Sequence, residues 1–307
     1  MVWLRRIAYV IATITIFGSS AYYWLIVESH MPSSGTFDID LDEVRKLADA
    51  DAGEKPVEIR YETVGTITFP KTAVVAGDGW EPTLLPVSAY QIVFPDRTAI
   101  IDTAYDEVTA KRADAPNSGY DHAAYDRIVA GLNKASLIVI THEHWDHAAT
   151  LFAQPNLPKL LQVTKLTKEQ VDNSDRLIPS NFPSGARSSY TPVTYNHYLS
   201  VAPGIVLIKA PGHTPGSQMV YVRTANGTEY LFLGDVAWHQ RNIDVLRERA
   251  RLVTWLFLNE DRDAVMLELS QIRKLQELNP NLVIVPGHDL DKMIALHDKK
   301  LLVNHFQ

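Results

Sequence analysis

Six consecutive residues, His142-Glu143-His144-Trp145-Asp146-His147, set three imidazoles and an aspartate into one short segment. In extended backbone alternate side chains share a face, so His142 and His144 can reach one ion together. Asp146 and His147 follow far enough along to address a second ion nearby. Neutral imidazole and carboxylate are the donors a borderline-soft divalent cation accepts where thiolate is missing. The chain of 307 residues has no cysteine. That absence excludes thiol nucleophiles, disulfide scaffolds, thiolate zinc sites and iron–sulfur clusters. Metal chemistry through His and Asp is what the segment offers. A merely solvated polar loop has no need of three crowded imidazoles.

The elements that must carry such a site are legible around it. Each further His or Asp of interest stands just after an apolar run. The run 137–140 leads into Thr141-His142, 205–208 into Gly212-His213, 230–233 into Gly234-Asp235, and 282–285 into Pro286-Gly287-His288. Four short strands would thus deliver polar residues to one edge of a sheet. Val57, Ile59, Tyr61 and Thr63 alternate with Glu58, Arg60 and Glu62, as in a half-buried strand. Further apolar runs lie at 89–94, 98–101 and 219–222. Helical spacing is clearest over 120–132 and over 263–278, where Val265, Leu269, Ile272 and Leu275 recur on one face.

His142-x-His144-x-Asp146-His147, followed by His213, Asp235 and His288, resembles the five-motif signature of the metallo-β-lactamase superfamily. The surrounding words match as well: Ala210-Pro211-Gly212-His213-Thr214-Pro215-Gly216, Leu233-Gly234-Asp235 and Val285-Pro286-Gly287-His288. The resemblance spans residues 57–289. It implies an α/β fold, the αβ/βα four-layer sandwich of two mixed β-sheets flanked by helices, with the site at one edge. It also implies a first metal on His142, His144 and His213, a second on Asp146, His147 and His288, and Asp235 bridging them. Two divalent ions follow, zinc first, with iron or manganese as alternatives.

The chemistry implied is a dinuclear metal-dependent hydrolase that uses a metal-bridging hydroxide on an ester, thioester or lactone, with Asp146 as catalytic proton shuttle. A loaded site of this kind is locally positive, which implies a small ester-like or anionic substrate. Asp102, after the run 98–101, resembles the superfamily's early Asp and would orient the site through a ligand's second ring nitrogen.

A second metal site built from Asp146 and His147 without cysteine resembles the glyoxalase II, lactonase and ribonuclease Z branches. It departs from the β-lactamases that use a cysteine ligand. Residues 141–147 read like glyoxalase II, but no basic cluster for glutathione accompanies them. Lactonases of the superfamily carry a Tyr three residues beyond the bridging Asp, where this chain has Trp238. With 36 acidic against 29 basic residues and a net charge of −7, neither ribonuclease activity nor a nucleic-acid partner is expected. Two other classes share the fold: an iron-dependent oxidoreductase and a non-catalytic metal-binding protein.

Residues 7–27 carry no charged side chain. As a helix they would span about 31 Å, close to the hydrocarbon thickness of a bilayer. Arg5 and Arg6 precede the run, and Glu28, Asp38 and Asp40 follow it. The positive-inside rule then leaves the N-terminus in the cytoplasm and the catalytic domain outside. Tyr22, Tyr23 and Trp24 suit the far interface. Gly18-Ser19-Ser20-Ala21 also suits a cleavable signal peptide, which would make the domain secreted. A buried core helix is the third option.

The expected organisation is an anchor or signal peptide over 1–28, a linker with one short helix over 29–56, and a catalytic domain over 57–307. Leu41, Val44, Leu47 and Ala48 would form the short helix. The stretch 172–199 reads as a long loop, a lid in which Tyr190, Tyr195, His197 and Tyr198 either cover the site or are ordinary surface aromatics. Trp145 and Trp238 would line a pocket or simply pack, and His239 would support the ligands or be structural. His30, His122, His297 and His305 have no supporting pattern.

Overall fold

A computed structural model describes residues 2–112, 117–173 and 182–307. Its strands are β1 (Glu58–Pro70), β2 (Pro82–Val93), β3 (Thr98–Ile101), β4 (Asn117–Tyr120), β5 (Leu137–Val139) and β6 (Thr164–Lys165). They continue with β7 (Tyr198–Ala202), β8 (Ile205–Lys209), β9 (Gln218–Arg223), β10 (Glu229–Phe232), β11 (Val283–Val285) and β12 (Val303–Asn304). One sheet runs β12-β1-β2-β3-β5-β6, with β4 paired to β1; the other runs β11-β10-β9-β8-β7. Both are mixed. β1 and β2 pair antiparallel but β3 and β5 parallel, and β8 and β9 antiparallel but β10 and β11 parallel.

The strands read as continuous apolar runs because both faces are covered. On β8, Ile205 and Leu207 point between the sheets, where they meet Ile59, Ile92 and Ile101 of the first sheet. Val206 and Ile208 point the other way, onto Val265, Leu269 and Ile272 of the Arg262–Leu278 helix. On β3, Ile100 lies outward among Ile128 and Leu132 of the His122–Lys134 helix and Leu151 of the Trp145–Phe152 helix. Helix, sheet, sheet, helix is the resulting order, the αβ/βα sandwich expected from the motifs.

Caps set the helix starts. Asp121 accepts a hydrogen bond from Ala124 N (3.0 Å), so the helix begins at His122 and Tyr120 closes β4 instead. Asp261 does the same for the Arg262–Leu278 helix through Ala264 N (3.0 Å). Within 29–56 the short helix forms as Leu41–Ala50, capped by Asp40. It is packed: Leu41, Val44 and Ala48 are buried on the outer side of the second sheet, against Val206 and Tyr221. This part of the expected linker therefore covers the core.

The 172–199 stretch is not loop throughout. It contains a helix at Ser184–Ser189 and runs into β7 at Tyr198. Residues 174–181, on which the lid reading also falls, lie outside the described residues. At the N-terminus, the Val2–Tyr22 helix continues through a π-helical turn, Tyr23–Val27. Among the described residues this helix alone is long and apolar enough to cross a membrane, and only 6% of its apolar window is buried. A core helix would be covered on most sides; this one is not.

Candidate metal centre

The expected ligands come from the ends of four strands. Residues 141–143 bend away from the end of β5 instead of running extended, His144 alone is extended at φ −79° and ψ 153°, and Asp146 and His147 fall in the first turn of the following helix. His213 lies between β8 and β9, Asp235 in a single turn after β10, and His288 after β11. Close approach of these loops requires glycine. Gly234 has φ +51°, and a β-carbon there would stand 2.7 Å from Thr141 Cβ. One at Gly287 would stand 2.7 Å from the Gly234 carbonyl oxygen.

Two groups of donor atoms result. One atom each from His142, His144, His213 and Asp235 lie within 4.8 Å of one another, and so do atoms of Asp146, His147, Asp235 and His288. Asp235 belongs to both. Its Oδ2 is 3.6 Å from His142 Nε2 and 3.4 Å from His213 Nε2. Its Oδ1 is 3.2 Å from His147 Nε2 and 3.0 Å from His288 Nε2.

Ring nitrogens converge in the same way. His144 Nδ1 is 3.1 Å from His142 Nε2 and 3.0 Å from His213 Nε2, and His147 Nε2 is 3.2 Å from His288 Nε2. Asp235 Oδ1 is buried and makes no hydrogen bond despite these neighbours. Buried lone pairs aimed at a common point repel one another unless a cation sits between them. The donor set therefore fits two divalent ions.

The outer nitrogen of three rings is held. His147 Nδ1 donates to Asp102 Oδ2 (2.8 Å), and Asp102 also accepts from Thr141 N (2.7 Å) and Thr141 Oγ1 (2.8 Å). This is the orienting role expected of Asp102. His213 Nδ1 donates to Glu260 Oε2 (2.9 Å), whose carboxylate takes Arg249 Nε at 3.0 Å. His288 Nδ1 donates to the Pro86 carbonyl (2.9 Å). Each bond fixes a tautomer and turns Nε2 inward.

No motif in the sequence singles out Glu260, Arg249 or Pro86. The one local hint is a buried Arg–Glu pair flanking an apolar turn, and nothing in the order of residues ties it to His213. Trp238 both packs and donates. Its Nε1 gives a hydrogen bond to Asp235 Oδ2 (2.7 Å), and the Arg249 guanidinium lies 4.9 Å from its ring centroid.

Charge follows the same geometry. Burial, then repulsion from neighbouring His147, hold His142 well below its ordinary pKa. Burial pushes the Asp235 carboxyl up, but His288, His147 and His142 outweigh it and hold the group well below the usual carboxylate range. His147 is held well above its ordinary value, because Asp235, Asp102 and Asp146 overcome its burial. An ionised Asp235 beside a neutral His142 is the state in which both can ligate.

Other expected residues serve the scaffold. Glu143 turns from the ligands to accept from Thr214 Oγ1 (2.7 Å) and Gly216 N (3.2 Å), tying two ligand loops together. Trp145 packs beside Tyr105, with ring centroids 5.4 Å apart. Tyr190 OH bonds the Thr164 carbonyl, Tyr195 OH bonds Gln218 Oε1, and Tyr198 OH accepts from Asp40 N. His197 lies beside Tyr198. His239 accepts from Arg241 N at a helix start and lies 3.2 Å from Asp289. His30, His122, His297 and His305 contact Glu28, Tyr120, the Leu302 carbonyl and Glu62 respectively, away from the ligands.

With this geometry in place, the chain's relatives can be set beside it. The family description of the metallo-β-lactamase superfamily matches residues 82–288, and the chain belongs to that superfamily. An N-acyl homoserine lactonase of a Bacillus species is 23% identical over 224 residues, 68% of this chain and 83% of the relative. One from Bacillus thuringiensis is 24% identical over 228 residues, with the same coverage of 68% and 83%.

Among solved structures, an N-acyl homoserine lactone hydrolase with N-hexanoyl-L-homoserine at its catalytic metal centre is similar at TM-score 0.60 and 16% identity, over 78% of this chain and 96% of that one. AidC, a dizinc quorum-quenching lactonase, is similar at TM-score 0.50 and 14% identity, over 77% of this chain and 89% of that one. These structures share the fold. Family and donor geometry together make the chain a metal-dependent hydrolase.

Proposed function

We propose that the protein is a dinuclear, metal-dependent hydrolase that opens a lactone or a related ester. The observation that carries this reading is Asp235, whose two carboxylate oxygens address two separate sets of imidazoles. His142, His144 and His213 would hold one ion, Asp146, His147 and His288 the other, with Asp235 between them. Zinc suits the nitrogen and oxygen donors, and it is the metal of one similar lactonase. When bound, the ions supply Lewis acidity and a water that ionises near neutral pH.

The chain's own residues do the rest. Asp102, Glu260 and the Pro86 carbonyl hold three rings in the ligating tautomer. Asp146, partly buried and 3.5 Å from His288 Nε2, would pass a proton to the leaving alkoxide oxygen. The lactone class rests on the two similar Bacillus proteins. Trp238 stands where lactonases carry Tyr, and its N–H is engaged by Asp235. The substrate carbonyl therefore receives no phenol from this position. The N-terminal helix is read as a membrane anchor that leaves the catalytic domain outside the cytoplasm, on the asymmetry of Arg5 and Arg6 against Glu28, Asp38 and Asp40.

Purified full chain, assayed on lactones, esters, thioesters and phosphodiesters with metal content measured on the same sample, tests this. Two equivalents of metal and lactone turnover that Asp235→Asn abolishes are expected. A single equivalent, or turnover that survives Asp235→Asn, sinks the dinuclear reading. Bound iron with oxygen uptake transfers the protein to the oxidoreductases.

A further inference from the structure

We propose that the catalytic domain lies against the bilayer surface, inserting an apolar hump formed by Trp255, Leu256 and Phe257, instead of hanging from a free tether. The inference rests on the reading that the Val2–Val27 helix spans the membrane.

The hump is a π-helical turn, Thr254–Leu258, closed by Asn259 in the left-handed conformation. Trp255, Leu256 and Phe257 are 67%, 58% and 74% exposed. Three consecutive large apolar side chains in water are costly, and such a patch marks a surface that meets an apolar partner. Among the described residues beyond the N-terminal helix, no other run of three large apolar residues is left this open.

What identifies the partner is the position of the hump. The segment carrying it is clamped to the exit of the N-terminal helix. The Arg251 guanidinium lies 4.8 Å from the Trp24 ring centroid and pairs with Glu28. Arg262 Nη2 donates to the Glu28 carbonyl (2.9 Å), Gly77 N donates to the Ile26 carbonyl (2.9 Å), and Ile26 itself is buried. The last turn of the helix is therefore fixed to the domain, with no slack in which the domain could swing.

The loop that carries Gly77 also brings Trp80 to the helix. Trp80, 59% exposed, donates from Nε1 to Tyr22 OH at 3.2 Å. Tyr22, Tyr23, Trp24, Trp80 and Trp255 thus gather where the helix leaves the bilayer. Amphipathic aromatic rings prefer this headgroup depth. Leu256 and Phe257, which have no polar tip, would reach the acyl boundary.

The absence of native cysteine makes single nitroxide labels clean reporters. Full chain carrying Phe257→Cys, Ile14→Cys or Leu278→Cys, each at an exposed position, is labelled and reconstituted in vesicles of phosphatidylcholine and phosphatidylglycerol. Power saturation then compares access of oxygen, which concentrates in lipid, with that of a water-soluble nickel chelate. The expected oxygen-to-nickel ratio at position 257 is several-fold above that at 278 and on the lipid side, as at 14. If 257 matches 278 while 14 lies in lipid, the docking surface is overturned and the membrane-spanning reading stands. If 14 is aqueous too, the spanning reading fails and takes the inference with it. A label at 257 shielded from both reagents means a protein partner, such as a second copy, and overturns the lipid assignment.

Discussion

The candidate ligand rings are held by groups outside the two donor sets. Glu260 and Asp102 hold His213 and His147 through single hydrogen bonds of 2.9 and 2.8 Å. Removing such a partner's charge commonly costs about tenfold to a hundredfold in metal affinity. Glu260→Gln and Asp102→Asn are each expected to weaken binding by that amount, read by competition with a chromophoric chelator while the fold is followed by circular dichroism. Unchanged affinity in both would reduce the two carboxylates to packing.

Glu268 is a different residue-scale case. It is buried, its Oε1 accepts from Gly212 N (3.0 Å), and Oε2 has no hydrogen-bond partner. Burial pushes its carboxyl up to about 8. A group whose folded pKa is raised stabilises fully below its unfolded value, and that stability is lost as pH rises through the folded value. The wild type should therefore lose stability between about pH 4.5 and pH 8, by up to about 1.4 kcal/mol per pH unit. Glu268→Gln keeps the acceptor for Gly212 and should flatten this slope. Parallel slopes for the two proteins in denaturant titrations across that range would refute the assignment.

At the scale of elements, apolar runs made the strands legible wherever both faces are covered. β3, β5, β8, β9, β10 and β11 lie where the runs indicate, because a two-sided core demands several apolar residues in succession. β6 and β12 are two residues long and have no period to read. β4 is a polar edge pairing with β1, and β7 sits at the end of the Ser- and Tyr-rich stretch. The Leu41–Ala50 helix was visible from its spacing, but its docking on the second sheet was not. Val44 is fully buried there. Val44→Ala should cost about 1–2 kcal/mol in chemical denaturation, from two lost methyl groups and the residual cavity. No measurable cost would make the helix a peripheral spacer after all.

At the scale of the molecule, one segment runs from the proposed docking surface to the candidate metal centre. Arg249 and Glu260, which support His213, bracket the apolar turn of Trp255, Leu256 and Phe257. A domain seated in this way would receive lipophilic substrates from the bilayer. Leu256→Ser with Phe257→Ser should then raise KM in vesicles several-fold for a long-chain acyl lactone, with little effect on a short-chain one or on kcat. An equal change for both chain lengths would argue for damage to the site itself.

The sequence by itself determined which residues could ligate and roughly which strands would carry them. Metal donors are chemically few, and a buried strand must be apolar, so both signals are local. Only the tertiary structure decided which ring nitrogen faces inward, since that depends on partners far along the chain: Glu260 is 47 positions from His213, and Pro86 is 202 from His288. It also decided that Arg251 and Arg262 clamp the exit of the N-terminal helix. Such contacts arise when distant segments are pressed together by the burial of both sheets, and no pattern of neighbouring residues encodes them.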